Sequence, residues 1–404
     1  MIRALIFDLS GTLVDIDFIR GRLEKEILRE FGVRLNKDAF FYERLKILEL
    51  MDKEDKLLRI LENNELKVRD LRPLIQRKTL EKLSEKFKLA VVSNNARKFV
   101  NMVLEKFNLS EFFDVTITFE DSYPKPSPMP YIEAIKKLSL RAEEVLGIGD
   151  TNPDAIAAKT SGAFFVSFRR RTILADGKLE SFSQLSDPSV LISKPYLEPS
   201  YEYLSRKNQV FKTKENLIVK KHGEKSSALY ETQIHARLYL KKFPVPKPLR
   251  LINSTIVMSY IKGLNVVDYI TKGGNARIFK QIGRLIAKTF IELGLINRDA
   301  TLRNFIISDG EIHMVDFEDY TLGRLEESVG VTVANIFSVK GITHQTMVNA
   351  CKELIKGIEE LIQIEKDYIQ YAINILKEKI KKFKRDELLN ALLLISSGAN
   401  TCFQ

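Results

Sequence analysis

Three oxygen-bearing side chains cluster around one short hairpin in the second half of the sequence. Asp299 and Asn304 flank the start of a first apolar run, and Asp316 follows a second one. Asp309 and Gly310 separate the two runs and are a strong signal for a tight turn, so the pattern predicts loop, strand, turn and strand. Oxygen ligands held at the ends of such a hairpin could bind magnesium and position a hydroxyl group for phosphoryl transfer.

This pattern resembles the catalytic and metal-binding loops of the protein-kinase superfamily. Residues 297–299 read Asn-Arg-Asp in place of His-Arg-Asp, and residues 316–318 read Asp-Phe-Glu in place of Asp-Phe-Gly. The resemblance implies Asp299 as the catalytic base, with Asn304 and Asp316 as magnesium ligands. The alternative is that these residues only open a loop, cap a strand and follow a turn.

A second set of polar residues lies in the first half of the chain. Asp8, Ser93 and the pair Asp150 and Asp154 each follow a short apolar run, and Lys125 lies in a proline-rich loop. Continuous apolar runs are typical of buried parallel strands. Ligands of open α/β sheets bind at the carboxyl ends of such strands. The sequence therefore predicts carboxylates, a hydroxyl and a cation at one edge of a sheet.

These four motifs, in this order, resemble the haloacid dehalogenase superfamily of phosphohydrolases over roughly residues 1–190. The resemblance implies Asp8 as the nucleophile that forms an aspartyl-phosphate, and Ser93 and Lys125 as phosphate ligands. It also implies that Asp8, Asp150 and Asp154 hold magnesium. A carboxylate can attack phosphorus only if cations offset the repulsion between two anions. The alternative is a set of ordinary polar residues at strand ends.

Ser10 departs from the family pattern. Phosphatases of the family carry a second aspartate at this catalytic position, two residues after the nucleophile, as general acid and base. A hydroxyl group cannot take a proton from water as a carboxylate does, and the loss typically slows a reaction about 10²- to 10⁴-fold. We therefore expect either a slow or specialised phosphohydrolase or a relic that only binds phosphate. Thr12 and Asn94 are further candidate phosphate contacts.

A helical insertion is predicted for residues 16–86, which carry apolar side chains at helical spacing, for example Leu23, Ile27, Leu28 and Phe31. It resembles the small helical cap that covers the site in the same family. An ordinary helical insertion would show the same pattern, and no residue in it identifies a substrate.

The order of elements after residue 205 resembles the small lobe of a protein kinase. Paired strands come first, then a helix that contains Glu231, then a further strand near residue 255. The resemblance implies that Lys220 binds the phosphates of ATP, that Glu231 orients it, and that Ser259 to Ile261 form the hinge beside adenine. Lys221 is the alternative to Lys220, because strand register cannot be fixed to one residue from sequence.

The segment 205–216, where a kinase has its phosphate-binding loop, contains no glycine. This short domain looks most like the atypical archaeal kinases near the RIO, KEOPS-associated and archaeal RNA kinase groups. Those groups act in ribosome and tRNA biology, so RNA is favoured as a substrate class by analogy only. Two basic runs, residues 169–171 and the lysine-rich tail from 377 to 385, are either phosphate contacts or ordinary solvated faces.

Length and composition set the outer limits. A chain of 404 residues favours two domains, and proline breaks near residue 190 place their boundary at about 194/195. The predicted fold class of residues 1–194 is therefore α/β, with a doubly wound parallel sheet. An α+β two-lobed domain follows, with its small lobe at residues 205–262 and its large lobe at residues 263–404. No apolar run approaches the roughly 20 residues of a membrane helix, and the two cysteines form no motif, so we expect a cytoplasmic protein without a membrane partner.

Together these patterns predict a bifunctional phosphoryl-transfer enzyme, with a phosphohydrolase half and a kinase half. Magnesium and ATP are the expected cofactors, and a phosphorylated compound and RNA, such as tRNA, the expected substrates. The net charge of +11 suits a polyanionic partner. Two alternatives stay open, a small-molecule kinase paired with a phosphatase, and an RNA-binding scaffold with decayed sites. The oligomeric state also stays open.

Overall fold

The computed structural model describes residues 1–15, 25–26, 29–30, 71–192, 197–203, 205, 207–383 and 388–398. The chain divides into two compact units, Met1–Gln233 with Pro248–Met258, and Ile234–Lys247 with Ser259–Gln404. Most of the predicted helical insertion lies outside the described residues, including Leu23, Ile27, Leu28 and Phe31. The predicted domain boundary near residue 195 lies outside them too.

The first unit begins with alternating strands and helices. Its strands are β1 (Ala4–Phe7), β2 (Val14–Asp15), β3 (Arg72–Pro73), β4 (Lys88–Val92), β5 (Val115–Ile117), β6 (Val145–Gly149), β7 (Phe164–Phe168) and β8 (Gly177–Leu179). The helices among them are α1 (Arg77–Ser84), α2 (Arg97–Lys106), α3 (Met129–Lys137) and α4 (Asn152–Thr160). Six strands form a parallel sheet in the order β5-β4-β1-β6-β7-β8, and β2 pairs with β3.

Strand β1 lies inside this sheet because every residue in it is apolar. Leu5 and Phe7 belong to one apolar cluster, and Ala4 and Ile6 to another. Successive side chains of a strand point to opposite faces, so both faces of the sheet are covered. The predicted doubly wound α/β fold is confirmed.

The first unit also contains a second sheet. Its strands are β9 (Pro199–Tyr203), β10 (Gln209–Thr213), β11 (Leu217–Lys221), β12 (Pro248–Ile252) and β13 (Thr255–Ser259), in the order β12-β13-β11-β10-β9. Helix α5 (Lys225–Leu240) follows β11, and its residues up to Gln233 belong to this unit. Strand β9 was not predicted, because four of its five residues are exposed and its sequence shows no apolar alternation.

The second unit is mainly helical. Its elements are β14 (Leu264–Asn265), α6 (Val266–Thr271), α7 (Ile278–Leu293), β15 (Ile296–Asn297), β16 (Phe305–Ser308), β17 (Glu311–Met314), β18 (Tyr320–Thr321), α8 (Leu325–Phe337), α9 (His344–Glu359), α10 (Tyr368–Phe383) and α11 (Leu389–Gly398). One apolar core joins the helices to the hairpin β16–β17. The hairpin turns at Asp309 and Gly310, whose φ angles are 50° and 81°, as its Asp-Gly signal predicts. Among the described helices, none combines the length and apolar character needed to cross a membrane.

Candidate active sites

The carboxyl edge of the parallel sheet gathers three aspartates. Strands β1 and β6 are neighbours in register, so Asp8 and Asp150 leave the sheet side by side, and Asp8 N–H donates to the Ile148 carbonyl at 2.8 Å. Asp154 lies in the first turn of α4. Carboxylate oxygens of Asp8, Asp150 and Asp154 lie within 4.8 Å of one another, and all three residues are buried.

Two glycines make this close approach possible. Gly11 has a φ of +89°, and a Cβ added to it would lie 2.5 Å from Oδ2 of Asp150. A Cβ added to Gly149 would lie 2.6 Å from the Cβ of Asp154. Both positions therefore exclude any larger residue unless an aspartate moves.

Lys125 is buried between two of these aspartates. Its ammonium group donates to Oδ1 of Asp8 at 2.7 Å, to Oδ1 of Asp154 at 2.6 Å and to the Val92 carbonyl at 2.8 Å. Burial alone would lower the pKa of Lys125, but the charges of Asp154 and Asp8 together outweigh it and raise that pKa. Lys125 therefore stays a cation inside the site.

The site still carries an excess of negative charge, because three carboxylates surround one ammonium group. Burial raises the pKa of Asp8 to about 7, Lys125 opposes this increase, and the charge of Asp154 adds to it. Buried carboxylates that repel one another fit a small divalent cation with oxygen ligands, as magnesium is. Asp8, Asp150 and Asp154 could hold it.

The other predicted phosphate contacts are Ser93, Thr12 and Asn94. Ser93 is buried after β4, and Thr12 is fully buried, with no hydrogen-bond partner for its hydroxyl among the described residues. Asn94 holds the lysine loop, because its amide accepts from Lys125 N–H and donates to the Lys125 carbonyl, each at 2.9 Å. The structure thus uses Asn94 to position Lys125.

Asn95 was missed by sequence reasoning. Its Oδ1 accepts one hydrogen bond from the Ser10 hydroxyl at 2.5 Å and another from the Ser93 hydroxyl at 2.8 Å. Asn95 therefore joins the first two motifs of the site. Its position directly after Ser93-Asn94 was the only signal available in the sequence.

Tyr131 is a second residue that the sequence did not reveal. It is completely buried on α3, and its hydroxyl has no hydrogen-bond partner among the described residues. A Cβ added to Gly147 of β6 would lie 2.8 Å from that hydroxyl. Burial, and then the charges of Asp154 and Asp8, raise the pKa of Tyr131 well above its usual value. Tyr131 therefore remains neutral beside the acidic site.

Lys220 of strand β11 pairs with Glu231 of helix α5. Their Nζ and Oε2 atoms are 2.7 Å apart and both residues are buried, whereas Lys221 is exposed. Nε2 of His222, which sequence reasoning did not connect with this site, lies 2.9 Å from the same oxygen. Burial would raise the pKa of Glu231, but the hydrogen bond from His222 and the charge of Lys220 lower it to about 2.

The hairpin of the second unit brings together Asp299 and Asn304. Nδ2 of Asn304 donates to the backbone oxygen and to Oδ2 of Asp299, both at 2.9 Å. The Asp299 N–H donates to Oδ1 of Asn297 at 2.8 Å, so Asn297 orients the loop. Asp316 follows Val315, whose N–H donates to the Asn304 carbonyl at 2.9 Å, and has a left-handed φ of 67°.

The proposed hinge residues begin at the end of β13. The Ser259 hydroxyl accepts from Lys247 N–H at 2.8 Å, and the Ser259 N–H donates to the Lys247 carbonyl at 3.0 Å. Ile261 is half-buried two residues further on. Ser259 therefore holds the end of β13 against the backbone of Lys247.

Comparisons with known proteins agree with this division of sites. A family model described as haloacid dehalogenase-like hydrolase matches residues 5–168, and a RIO domain model matches residues 196–329. The phosphoglycolate phosphatase of Aquifex aeolicus is 31% identical over 210 residues, which are 47% of this chain and 95% of that protein. The pyrophosphatase PpaX of Oceanobacillus iheyensis is 26% identical over 170 residues, 39% of this chain and 79% of that protein.

Solved structures match part of the chain. A HAD-superfamily hydrolase of subfamily IA from Geobacter sulfurreducens is 24% identical, with a TM-score of 0.37. The alignment covers 46% of this chain and 99% of that structure.

Proposed function

This chain belongs to the haloacid dehalogenase-like hydrolase family and carries a RIO domain, and from this premise we propose that it is a magnesium-dependent phosphohydrolase fused to an ATP-dependent kinase. The division is proposed as residues 1–194 and 195–404. The observation that carries the hydrolase half is the burial of Lys125 between Asp8 and Asp154, beside Asp150.

In the hydrolase half, a carboxylate oxygen of Asp8 forms a bond to phosphorus while the bond to the leaving oxygen breaks. Lys125 offsets the negative charge of the phosphate, and the hydroxyls of Ser93 and Thr12 donate to its oxygens. A magnesium ion held by Asp8, Asp150 and Asp154 would supply the remaining charge neutralisation. The product of this step is an aspartyl-phosphate on Asp8.

Ser10 determines how long this aspartyl-phosphate persists. Water must lose a proton as it attacks the phosphorus, and the Ser10 hydroxyl is too weak a base to accept it. That hydroxyl instead donates a hydrogen bond to Oδ1 of Asn95. Hydrolysis of the aspartyl-phosphate is therefore the slow step of the proposed reaction.

In the kinase half, Lys220 binds the phosphates of ATP and Glu231 holds its ammonium group in position. Asp299 accepts the proton of the substrate hydroxyl. Asn304 and Asp316 would hold magnesium, which would neutralise the charge of the transferred phosphoryl group. Ser259 to Ile261 provide the hinge beside adenine. The pairs Lys220 with Glu231 and Asp299 with Asn304 support this assignment.

RNA, such as tRNA, is the proposed substrate class of the kinase. The net charge of +11 supports it, since cationic surfaces attract polyanions. On helix α10, Lys377, Lys381 and Lys382 are exposed; Lys384 and Arg385 of the same basic run lie outside the described residues.

The kinase half is tested by transfer of labelled γ-phosphate from ATP into a cell extract that is then fractionated into RNA, protein and small molecules. We expect label in the RNA fraction that disappears in Asp299→Asn. Asp309→Asn, at the exposed hairpin tip, is the matched control. Asp299-dependent label in the small-molecule fraction would replace RNA by a metabolite, and no Asp299-dependent label in any fraction would refute the kinase.

The hydrolase half is tested by magnesium-dependent phosphate release from an aryl phosphate. Asp8→Asn is expected to abolish release, because an amide cannot form the aspartyl-phosphate. Asp187→Asn serves as the matched control, since this exposed residue only accepts hydrogen bonds from Ser189. Release that persists in Asp8→Asn would refute the assignment of the nucleophile.

A further inference from the structure

Three adjacent arginines, Arg169 to Arg171, are exposed directly after strand β7. Strands β6 and β7 are parallel neighbours in which Gly149 pairs with Ser167. Phe168 therefore lies beside Asp150, and the arginines follow at the same edge of the sheet. The hydrolase reaction proposed above does not use this charge.

The arginine segment is hydrogen-bonded to Asn152, the first residue of α4. Oδ1 of Asn152, which lies between Asp150 and Asp154, accepts a hydrogen bond from Ile173 N–H at 3.0 Å. At the other end, Arg170 N–H donates to the Phe168 carbonyl at 2.6 Å, which closes a tight turn. The Asn152 hydrogen bond holds the end of the arginine segment beside the start of α4, between Asp150 and Asp154.

The three arginines differ in their neighbours. Nη1 of Arg169 lies 3.9 Å from Oδ2 of Asp15, on the strand that follows the nucleophile motif. Arg171 forms no ion pair or hydrogen bond with any residue that the structure describes. Arg169 thus places the segment near Asp15, and the segment exposes cationic charge that a ligand could contact.

The chemistry of guanidinium groups identifies the ligand. Arginine binds phosphate through paired N–H donors with geometry that a lysine lacks. In the proposed reaction, Lys125, Ser93 and Thr12 bind one phosphate of the substrate inside the site. A second anionic group on the same substrate would lie outside that site, and the exposed arginines follow β7 at the same edge of the sheet.

We propose that Arg170 and Arg171 form a subsite for a second phosphate, so that the hydrolase half prefers phosphoesters whose leaving group itself carries a phosphate. This inference rests on the proposed phosphohydrolase function and adds its substrate class, the organic bisphosphates. A contact with an RNA backbone is the competing use of the same charge. The hydrogen bond between Ile173 and Asn152, next to Asp150, favours the bisphosphate over the RNA backbone.

The test compares two substrates with the full chain and magnesium, propyl phosphate and propane-1,3-diyl bisphosphate. We expect wild type to favour the bisphosphate in kcat/KM, and the double variant Arg170→Ala/Arg171→Ala to reduce this preference by about tenfold, the effect of two charge-assisted contacts at an exposed site. Arg170→Lys/Arg171→Lys should restore only part of it. Arg3→Ala is the matched control, because Arg3 precedes β1 at the opposite edge of the sheet.

A binding measurement separates this inference from the proposed reaction. Calorimetry with the Asp8→Asn chain and magnesium measures affinity for both compounds without turnover, and the double arginine change is expected to weaken only bisphosphate binding, by about tenfold. Equal affinity for the bisphosphate with and without the arginines would overturn the subsite, even if hydrolysis is observed. Weaker tRNA binding in the double variant with unchanged bisphosphate binding would overturn it in favour of an RNA contact. An absence of Asp8-dependent hydrolysis with intact arginine-dependent binding would refute the reaction alone.

Discussion

The hydroxyl of Ser10 donates a hydrogen bond to Oδ1 of Asn95 over 2.5 Å, although the two residues are 85 positions apart. Ser93 donates to the same oxygen. The position that carries a general acid and base in related phosphatases is thus part of a neutral hydrogen-bond network. This network accounts for the slow hydrolysis that we propose.

Ser10→Asp is expected to accelerate magnesium-dependent phosphate release at least about 10²-fold, because a carboxylate at this position can accept the proton of the attacking water. Steady-state release from an aryl phosphate measures the rate, and acid quenching measures the aspartyl-phosphate, which should become scarcer. Ser10→Ala is the control and should not accelerate release. A Ser10→Asp chain no faster than Ser10→Ala would contradict the proposed rate limit.

Lys125→Met is expected to destabilise the hydrolase half by roughly 3–5 kcal/mol, because it leaves Asp8 and Asp154 buried without their cation. The urea midpoint of unfolding measures the effect, and added magnesium should recover part of it. Lys78→Met, on the exposed face of α1, is the control and should change the midpoint little. An unchanged midpoint in Lys125→Met would show that the buried ion pairs contribute nothing.

Gly149→Ala is expected to abolish magnesium-dependent hydrolysis, since the new methyl group would displace Asp154. Gly223→Ala is the matched control, because nothing lies within 4 Å of the Cβ that it adds. Magnesium binding followed by calorimetry is the direct readout. Equal magnesium affinity in both variants would argue against Asp154 as a ligand.

Glu231 should make the stability of the chain sensitive to acid. Its pKa is lowered to about 2 in the folded protein from 4.5, so the unfolded chain takes up a proton first as the pH falls. Its stabilising contribution is complete above pH 4.5 and is lost between pH 4.5 and about 2. Unfolding midpoints measured from pH 6 downwards should fall less steeply in Glu231→Gln than in wild type.

The control for this prediction is Glu224→Gln, an exposed glutamate of the same region. It should reproduce the pH dependence of wild type, at a similar midpoint. A Glu231→Gln profile parallel to that of wild type over this range would contradict the lowered pKa.

Asn297→Ala is expected to lower the kcat of γ-phosphate transfer roughly 10- to 100-fold, with a smaller change in the KM for ATP. The side chain of Asn297 holds the backbone of Asp299, and small displacements of a catalytic group have effects of this size. Asn349→Ala, on the exposed face of α9, is the control. A change in KM without a change in kcat would place Asn297 in nucleotide binding instead.

The sequence by itself determined the two folds and the order of their motifs. Short apolar runs that end at Asp8, Ser93 and Asp150 are typical of buried strands, and parallel strands deliver their carboxyl ends to one edge. Asp309-Gly310 likewise specified a hairpin through the φ angles that these two residues tolerate. Such features depend on neighbours in the chain, which a sequence displays directly.

The tertiary structure alone decided which side chains meet. It places Lys220 rather than Lys221 against Glu231, adds His222 to that pair, and joins Ser10 to Ser93 through Asn95. It also adds β9, an edge strand whose exposed residues leave no apolar pattern. These contacts join residues that are separated in sequence. A one-residue change in strand register would exchange Lys220 for Lys221, and local periodicity does not fix that register.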